Sequence, residues 1–115
     1  MKDSSFERRK KRVRFKVYGK TARPRLSVSR SNKNIYVQII DDDKRKTLIG
    51  LSLKGIKDQV KGKTKLVAAG ILGEEIALRA KKIKIKKIVF DRGGYRYLGR
   101  VKAVAEGARK GGLDF

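Results

Sequence analysis

The sequence predicts an α/β fold of the α+β kind: one small mixed four-stranded sheet with helices on one face, in the order β-β-β-α-β-α, preceded by a basic flexible arm. Three observations carry this. Apolar residues alternate with period two in short runs that begin directly after Pro24. A helical stripe, Ala69, Leu72, Gly73, Ile76, Ala80 and Ile83, follows those runs. Beyond it come a compact apolar run, Ile88, Val89 and Phe90, and a second amphipathic stretch. At 115 residues the chain can bury one core but not two. It therefore divides into an arm, residues 1–23, and a globular domain, residues 24–115.

The arm comes first. Residues 2–25 hold 11 Lys or Arg against two acids, with Phe6, Val13, Phe15, Val17 and Tyr18 thinly interspersed. So little apolar surface cannot offset the entropy of ordering, and by itself the stretch reads as disordered or partly helical. A solubilising tail or a nuclear-targeting block at Arg8 to Arg12 are alternatives, but a block of one sign is more than solubility requires. Next, Leu26 and Val28 alternate with Ser27 and Ser29. Residues 31–34, Ser-Asn-Lys-Asn, have turn chemistry, and residues 35–40 alternate again, so the pair reads as a hairpin. Ile35, Val37 and Ile39 face the core. Tyr36 and Gln38 share the other face with the serines, a surface that is either merely solvated or a place of binding.

Three aspartates, 41–43, and three cations, 44–46, make a charged turn into a third strand over residues 47–53. Residues 54–65 weaken into a loop with one helical turn. Thr64 is placed to cap a helix that runs to Ala80, whose small residues Ala69, Gly73 and Ala80 would let it lie close on the sheet. The run 88–90 suits a central or parallel strand, and a final helix from about Gly99 to Lys110 buries Val101, Val104, Ala105 and Ala108 before Gly111 and Gly112 end it.

Composition narrows the chemistry. Lys and Arg number 33 against 11 acids, a formal charge of +22, which calls for a polyanionic partner. Nucleic acid fits best, because each phosphate neutralised also releases counterions. No long apolar run or signal-like segment points to a membrane, so the chain reads as soluble and unprocessed. Cys and His are both absent, which removes disulfides, zinc fingers and the commonest nucleophile and proton shuttle. Gly-Lys-Thr occurs at 19–21 and 62–64, but a phosphate loop needs Gly where Arg14 and Lys57 stand. The three aspartates lack the alternating oxygen ligands of a calcium loop. No catalytic residue, metal site or cofactor is expected, and the chain reads as no enzyme.

Residues 90–100, Phe-Asp-Arg-Gly-Gly-Tyr-Arg-Tyr-Leu-Gly-Arg, concentrate shape, charge and aromatic surface. Gly93 and Gly94 allow close backbone approach. Arg92, Arg96 and Arg100 supply planar donor forks. Tyr95 and Tyr97, two apart, would share a face if the segment were extended, either to stack on bases or to pack at an edge of the core. Asp91 suits orienting Arg92 or capping the turn.

Together with Arg25-Leu26-Ser27-Val28, Arg30-Ser31, residues 35–39 and residues 101–103, 108–109 and 112–115, this motif resembles the bacterial-type family of large-subunit ribosomal protein eighteen, the 5S rRNA-binding uL18 family. The resemblance spans nearly the whole chain and is weakest over residues 54–63. It implies a non-catalytic constituent of the large subunit that binds 5S rRNA and helps attach it to 23S rRNA in the central protuberance, beside neighbouring ribosomal proteins. It also implies a monomer outside the ribosome, located on cytoplasmic or organellar ribosomes. RNA contacts would fall on arm residues Arg8, Arg9, Lys10, Lys11, Arg12, Arg14, Lys16, Lys20, Arg23 and Arg25. In the hairpin they would fall on Arg30, Ser31, Asn32, Lys33, Tyr36 and Gln38, and in the Gly-rich loop on Arg92, Gly94, Tyr95, Arg96, Tyr97 and Arg100. The family usually carries His between Tyr97 and Gly99, where this chain has Leu98. The rival reading from charge alone is an architectural DNA-binding protein held by non-specific phosphate contacts, which no helix-turn-helix or minor-groove wedge supports.

Overall fold

A computed structural model describes residues 5–31 and 33–115, with residues 11–16 described by backbone only. Its elements are α1 (Ser5–Lys16), β1 (Arg25–Arg30), β2 (Ile35–Asp41), β3 (Lys46–Ser52), a 3-10 turn (Lys54–Ile56), α2 (Lys57–Val60), α3 (Lys65–Lys82), β4 (Val89–Asp91) and α4 (Gly99–Lys110). They form one mixed sheet in the order β3-β2-β1-β4. β1 and β2 pair antiparallel, with Val28 opposite Val37, and β4 runs parallel to β1, with Phe90 opposite Leu26. β2 and β3 are also antiparallel, with a bulge that skips Leu48.

Alternation places the core as the sequence predicts. Leu26, Val28, Ile35, Val37 and Ile39 are buried on one face and pack with Leu72, Ile76, Val101 and Val104 of the helices. Thr64 accepts a hydrogen bond from the Val67 amide at 3.3 Å, closing the first turn of α3 as expected of an N-cap. Three details differ from expectation. α3 extends to Lys82 and buries Ala68 and Ala77, whereas Ile83 falls outside the stripe and is half exposed, because Lys84 turns the chain with a left-handed φ of 63°. β4 runs parallel, the second of the two expected settings, but it is only three residues long and lies at the sheet edge; the preceding Ile88 is fully buried, and its amide donates to the Asp114 carbonyl of the C-terminal tail at 3.1 Å.

The third difference concerns the small residues of α3. Gly73 meets α4, not the sheet: a Cβ there would collide with the Val104 carbonyl and lie 2.8 Å from the Ala108 amide nitrogen. Gly107 of α4 makes the reciprocal approach to Gly70. Gly73→Ala should therefore push the two helices apart and cost about 1–3 kcal/mol. Urea unfolding should show a lowered midpoint, and an unchanged midpoint would mean that the helices have room to part freely.

Candidate nucleic-acid interface

Chain order brings the base of the arm beside the acidic turn. The Tyr18 hydroxyl donates to Asp43 at 2.9 Å, the Gly19 amide donates to Asp42 at 2.7 Å and the Thr21 amide donates to Asp43 at 3.1 Å. The bond to Asp43 raises the Tyr18 pKa above its ordinary value, because a carboxylate acceptor opposes a phenolate. Asp41 is buried and accepts from the Lys44 amide at 3.1 Å, shaping the turn itself. The aspartates thus fasten the arm, a job more specific than salting a turn. Lys20 and Arg23 remain exposed beside this clasp.

Arg25 departs most from the sequence reading. Its side chain is 8% exposed and sits between two carboxylates, with Nε 3.1 Å from Asp42 and Nη1 2.9 Å from Asp91. Burial alone would lower its pKa, but the Asp42 and Asp91 charges and hydrogen bonds outweigh this and raise it. This guanidinium is spent on the fold and is a poor candidate for a phosphate. The signal was available in three acids and one Arg flanking the same strand pair, but pairing them requires the sheet register. Asp91 also accepts from the Gly93 amide at 2.8 Å, so it caps the turn as expected, while its cationic partner is Arg25 rather than Arg92.

Arg92 instead donates to the Tyr95 carbonyl at 2.7 Å and stiffens the loop from within. Gly93 takes a left-handed φ of 64°, which suits Gly. Gly94 is buried, and what approaches it is helix α1: a Cβ would lie 2.6 Å from the Phe6 carbonyl and 2.9 Å from the Phe6 ring. The Phe6 ring stands 4.9 Å from that of Tyr95, and Arg9 donates to the Gly94 carbonyl at 3.1 Å. The glycine therefore admits the arm, where close approach of RNA was the expectation. Gly94→Ala should unseat α1 while leaving the domain's unfolding midpoint nearly unchanged. Limited trypsin digestion should then cut faster at Arg8, Arg9 and Lys10, and an unaltered digestion rate would mean that α1 does not rest on this loop.

The two tyrosines diverge, because the loop is a series of tight turns and not an extended strand. The Tyr95 hydroxyl accepts from the Arg30 amide at 3.2 Å and donates to the Arg30 carbonyl at 3.0 Å, tying the loop to the end of β1, and the Arg30 guanidinium lies 5.1 Å from its ring. Tyr97 packs edge-on to Phe90 at 6.0 Å, and its hydroxyl accepts from Arg109 at 3.3 Å. It stays 40% exposed and can still offer a face to a base.

On the hairpin, the turn is held by the Ser31 amide donating to the Asn34 carbonyl at 2.8 Å, and the Ser31 carbonyl accepts from Arg100 at 3.4 Å. Lys33 is exposed there. Tyr36 lies across the open sheet face over Gly50, where a Cβ would sit 2.6 Å from the Tyr36 hydroxyl oxygen, and Gln38 is half-buried beside it. Asn32 and the side chains of Lys11, Arg12, Arg14 and Lys16 fall outside the described residues.

What the structure assembles is a cleft of about 360 Å³ between α1 and the start of α4. Arg9, Arg30, Arg96 and Arg100 enter it from α1, β1, the loop and α4, with Phe6, Tyr95 and Leu98 among the remaining walls. Among the described residues no carboxylate lines it. Leu98, 62% exposed, supplies an apolar surface beside four guanidinium groups. Sequence reasoning singled out the arginines but not Phe6, whose spacing carried no sign that it would fold back on residues 94–95. Among the described residues no cluster of acids could hold a metal ion, and no helix is long and apolar enough to cross a membrane.

Comparison with known proteins gives a consistent family. Residues 1–115 match the family described as ribosomal L18 of archaea, bacteria, mitochondria and chloroplasts. The chain is 51% identical over 114 residues to a large ribosomal subunit protein uL18 of Lactiplantibacillus plantarum, covering 99% of this chain and 95% of that one. It is 55% identical over 109 residues to the uL18 of Clostridium perfringens, covering 95% and 91%. It is 49% identical over 115 residues to that of Nitratidesulfovibrio vulgaris, covering 99% and 97%.

Proposed function

The chain belongs to the ribosomal L18 family and is a structural constituent of the large ribosomal subunit, and from that premise we propose that it binds 5S rRNA and helps attach it to 23S rRNA in the central protuberance. The observation that carries the RNA reading is the convergence of Arg9, Arg30, Arg96 and Arg100 on one cleft that, among the described residues, no carboxylate lines. Guanidinium forks match phosphate oxygens two at a time and can stack on unpaired bases, which suits a folded RNA read through shape, phosphates and loops. Tyr97 and Leu98 add the aromatic and apolar surface that simple charge attraction lacks. Arm cations add phosphate contacts around this cleft, and Lys20, Arg23, Lys33, Tyr36 and Gln38 extend the surface along the clasp and the hairpin. Neighbouring ribosomal proteins are its other partners, and outside the ribosome it is a monomer.

Competition separates this from a generic polyanion binder. With labelled 5S rRNA bound to the full chain, unlabelled 5S rRNA should displace it at a concentration at least tenfold below that needed by duplex DNA of equal length. Equal displacement by the two would overturn the specific reading and leave non-specific phosphate binding in its place.

A further inference from the structure

A second basic concavity adjoins the four-arginine cleft at Arg100 and extends over the segment where the family resemblance is weakest. It is a groove of about 550 Å³, within the range of about 300–1,000 Å³ common to ligand sites. Lys33, Lys54, Lys57, Lys63, Lys65 and Arg100 rim it, arriving from the hairpin turn, the 3-10 turn, α2, the α2–α3 loop, α3 and α4. The floor is apolar, formed by Leu53, Val60 and Ala68. None of the five lysines lies within ion-pair distance of a carboxylate among the described residues, and Asp58, on the same short helix as Lys57, does not line the groove. The positive end of the α3 dipole opens between Lys63 and Lys65 and adds to the same field.

Six cations gathered from separate elements around an aliphatic floor are costly to hold together without a counter-charge, and the floor rewards something flat and apolar between the charges. We propose that this groove takes single-stranded RNA, seating one unpaired base on Leu53, Val60 and Ala68 while the rim lysines neutralise the flanking phosphates. The inference rests on the RNA-binding reading above and adds a site to it. A double helix presents a convex surface with its bases stacked inside, so it can touch the rim but not reach the floor, whereas a splayed nucleotide reaches both. Arg100 joins the two sites, since it also lines the four-arginine cleft.

The test uses the full chain and three probes: hexauridylate, a twelve-base-pair RNA duplex and hexaglutamate. Amide resonances across residues 53–68 should shift on adding hexauridylate, and much less with the duplex. The double variant Lys57→Glu, Lys63→Glu alters two exposed side chains and should stay folded. It should bind hexauridylate at least tenfold more weakly, with a log-log salt slope reduced by about 1.4, or roughly 0.7 for each lost phosphate contact. Shifts confined to residues 5–10 and 92–100, or equal binding by variant and wild type, would overturn the groove assignment. So would hexaglutamate binding there as tightly as hexauridylate, which would assign the groove to an acidic peptide. The 5S competition, run in parallel on the wild type, keeps the two failures apart: a retained 5S preference with an inert groove removes this site alone.

Discussion

Removing residues 1–16 is expected to weaken 5S rRNA binding by at least tenfold, about 1.4 kcal/mol, and to flatten its salt dependence more than any single substitution can. The removed segment carries Lys2, Arg8, Arg9, Lys10, Lys11, Arg12, Arg14 and Lys16. If half of these meet phosphates, the log-log slope should fall by roughly 3 to 4 at about 0.9 per contact. Cutting after Lys16 matters, because Tyr18, Gly19 and Thr21 are held by Asp42 and Asp43 and their loss would disturb the domain itself. Filter binding between low and moderate salt gives the slope, and thermal unfolding confirms that the remainder is folded. A slope equal to that of the intact chain would place the arm away from phosphates. Gly94→Ala supplies an intermediate case: it keeps every arm cation but removes the seat of α1, so its slope should stay near wild type while its affinity drops.

Arg25→Ala should be the most destabilising single change, at about 3–5 kcal/mol, because it leaves the carboxylates of Asp42 and Asp91 without their buried cation. The loss would spread to function through Asp91, whose other oxygen holds the Gly93 amide and thereby the turn that carries Arg92 to Arg100. Arg25→Lys should recover only part of it, since an ammonium cannot reproduce a fork that reaches two acids at once. The raised pKa of Arg25 means that its charge contributes fully below the ordinary guanidinium value and fades only as pH climbs past the higher folded one. Its charge is therefore present throughout neutral and acidic conditions. Urea unfolding at fixed salt measures the effect. A loss under about 1 kcal/mol, the scale of an exposed ion pair, would return Arg25 to the surface-facing set.

Period-two and helical periodicity were enough to place β1, β2, α3 and α4, and α4 spans Gly99–Lys110 as its apolar stripe and closing glycines suggest. Those signals are local, so one chain segment carries them whole. The small residues of α3 announced a close approach without naming the neighbour: Gly73 could have met a sheet as easily as α4, and only the packing of two helices in space chose between them. Gly94 is parallel. A Gly-rich turn promises that something comes near, and what comes near is Phe6, 88 positions earlier in a chain of 115 residues.

By itself the sequence determined the charge, the order of elements, the lack of Cys and His, and through the long motif at residues 90–115 the family. These follow from composition, periodicity and residue identity, which do not depend on where the chain goes. The tertiary structure alone decided which cations are spent inside the molecule and which are left for a partner. Arg25 and Arg30 stand at opposite ends of one strand with the same side chain, yet the first is enclosed by Asp42 and Asp91 and the second opens into the cleft beside Tyr95. That division is set by which carboxylates the sheet register and the arm bring within 4 Å, a distance at which a charge pair out of bulk water is worth several times its value in solution.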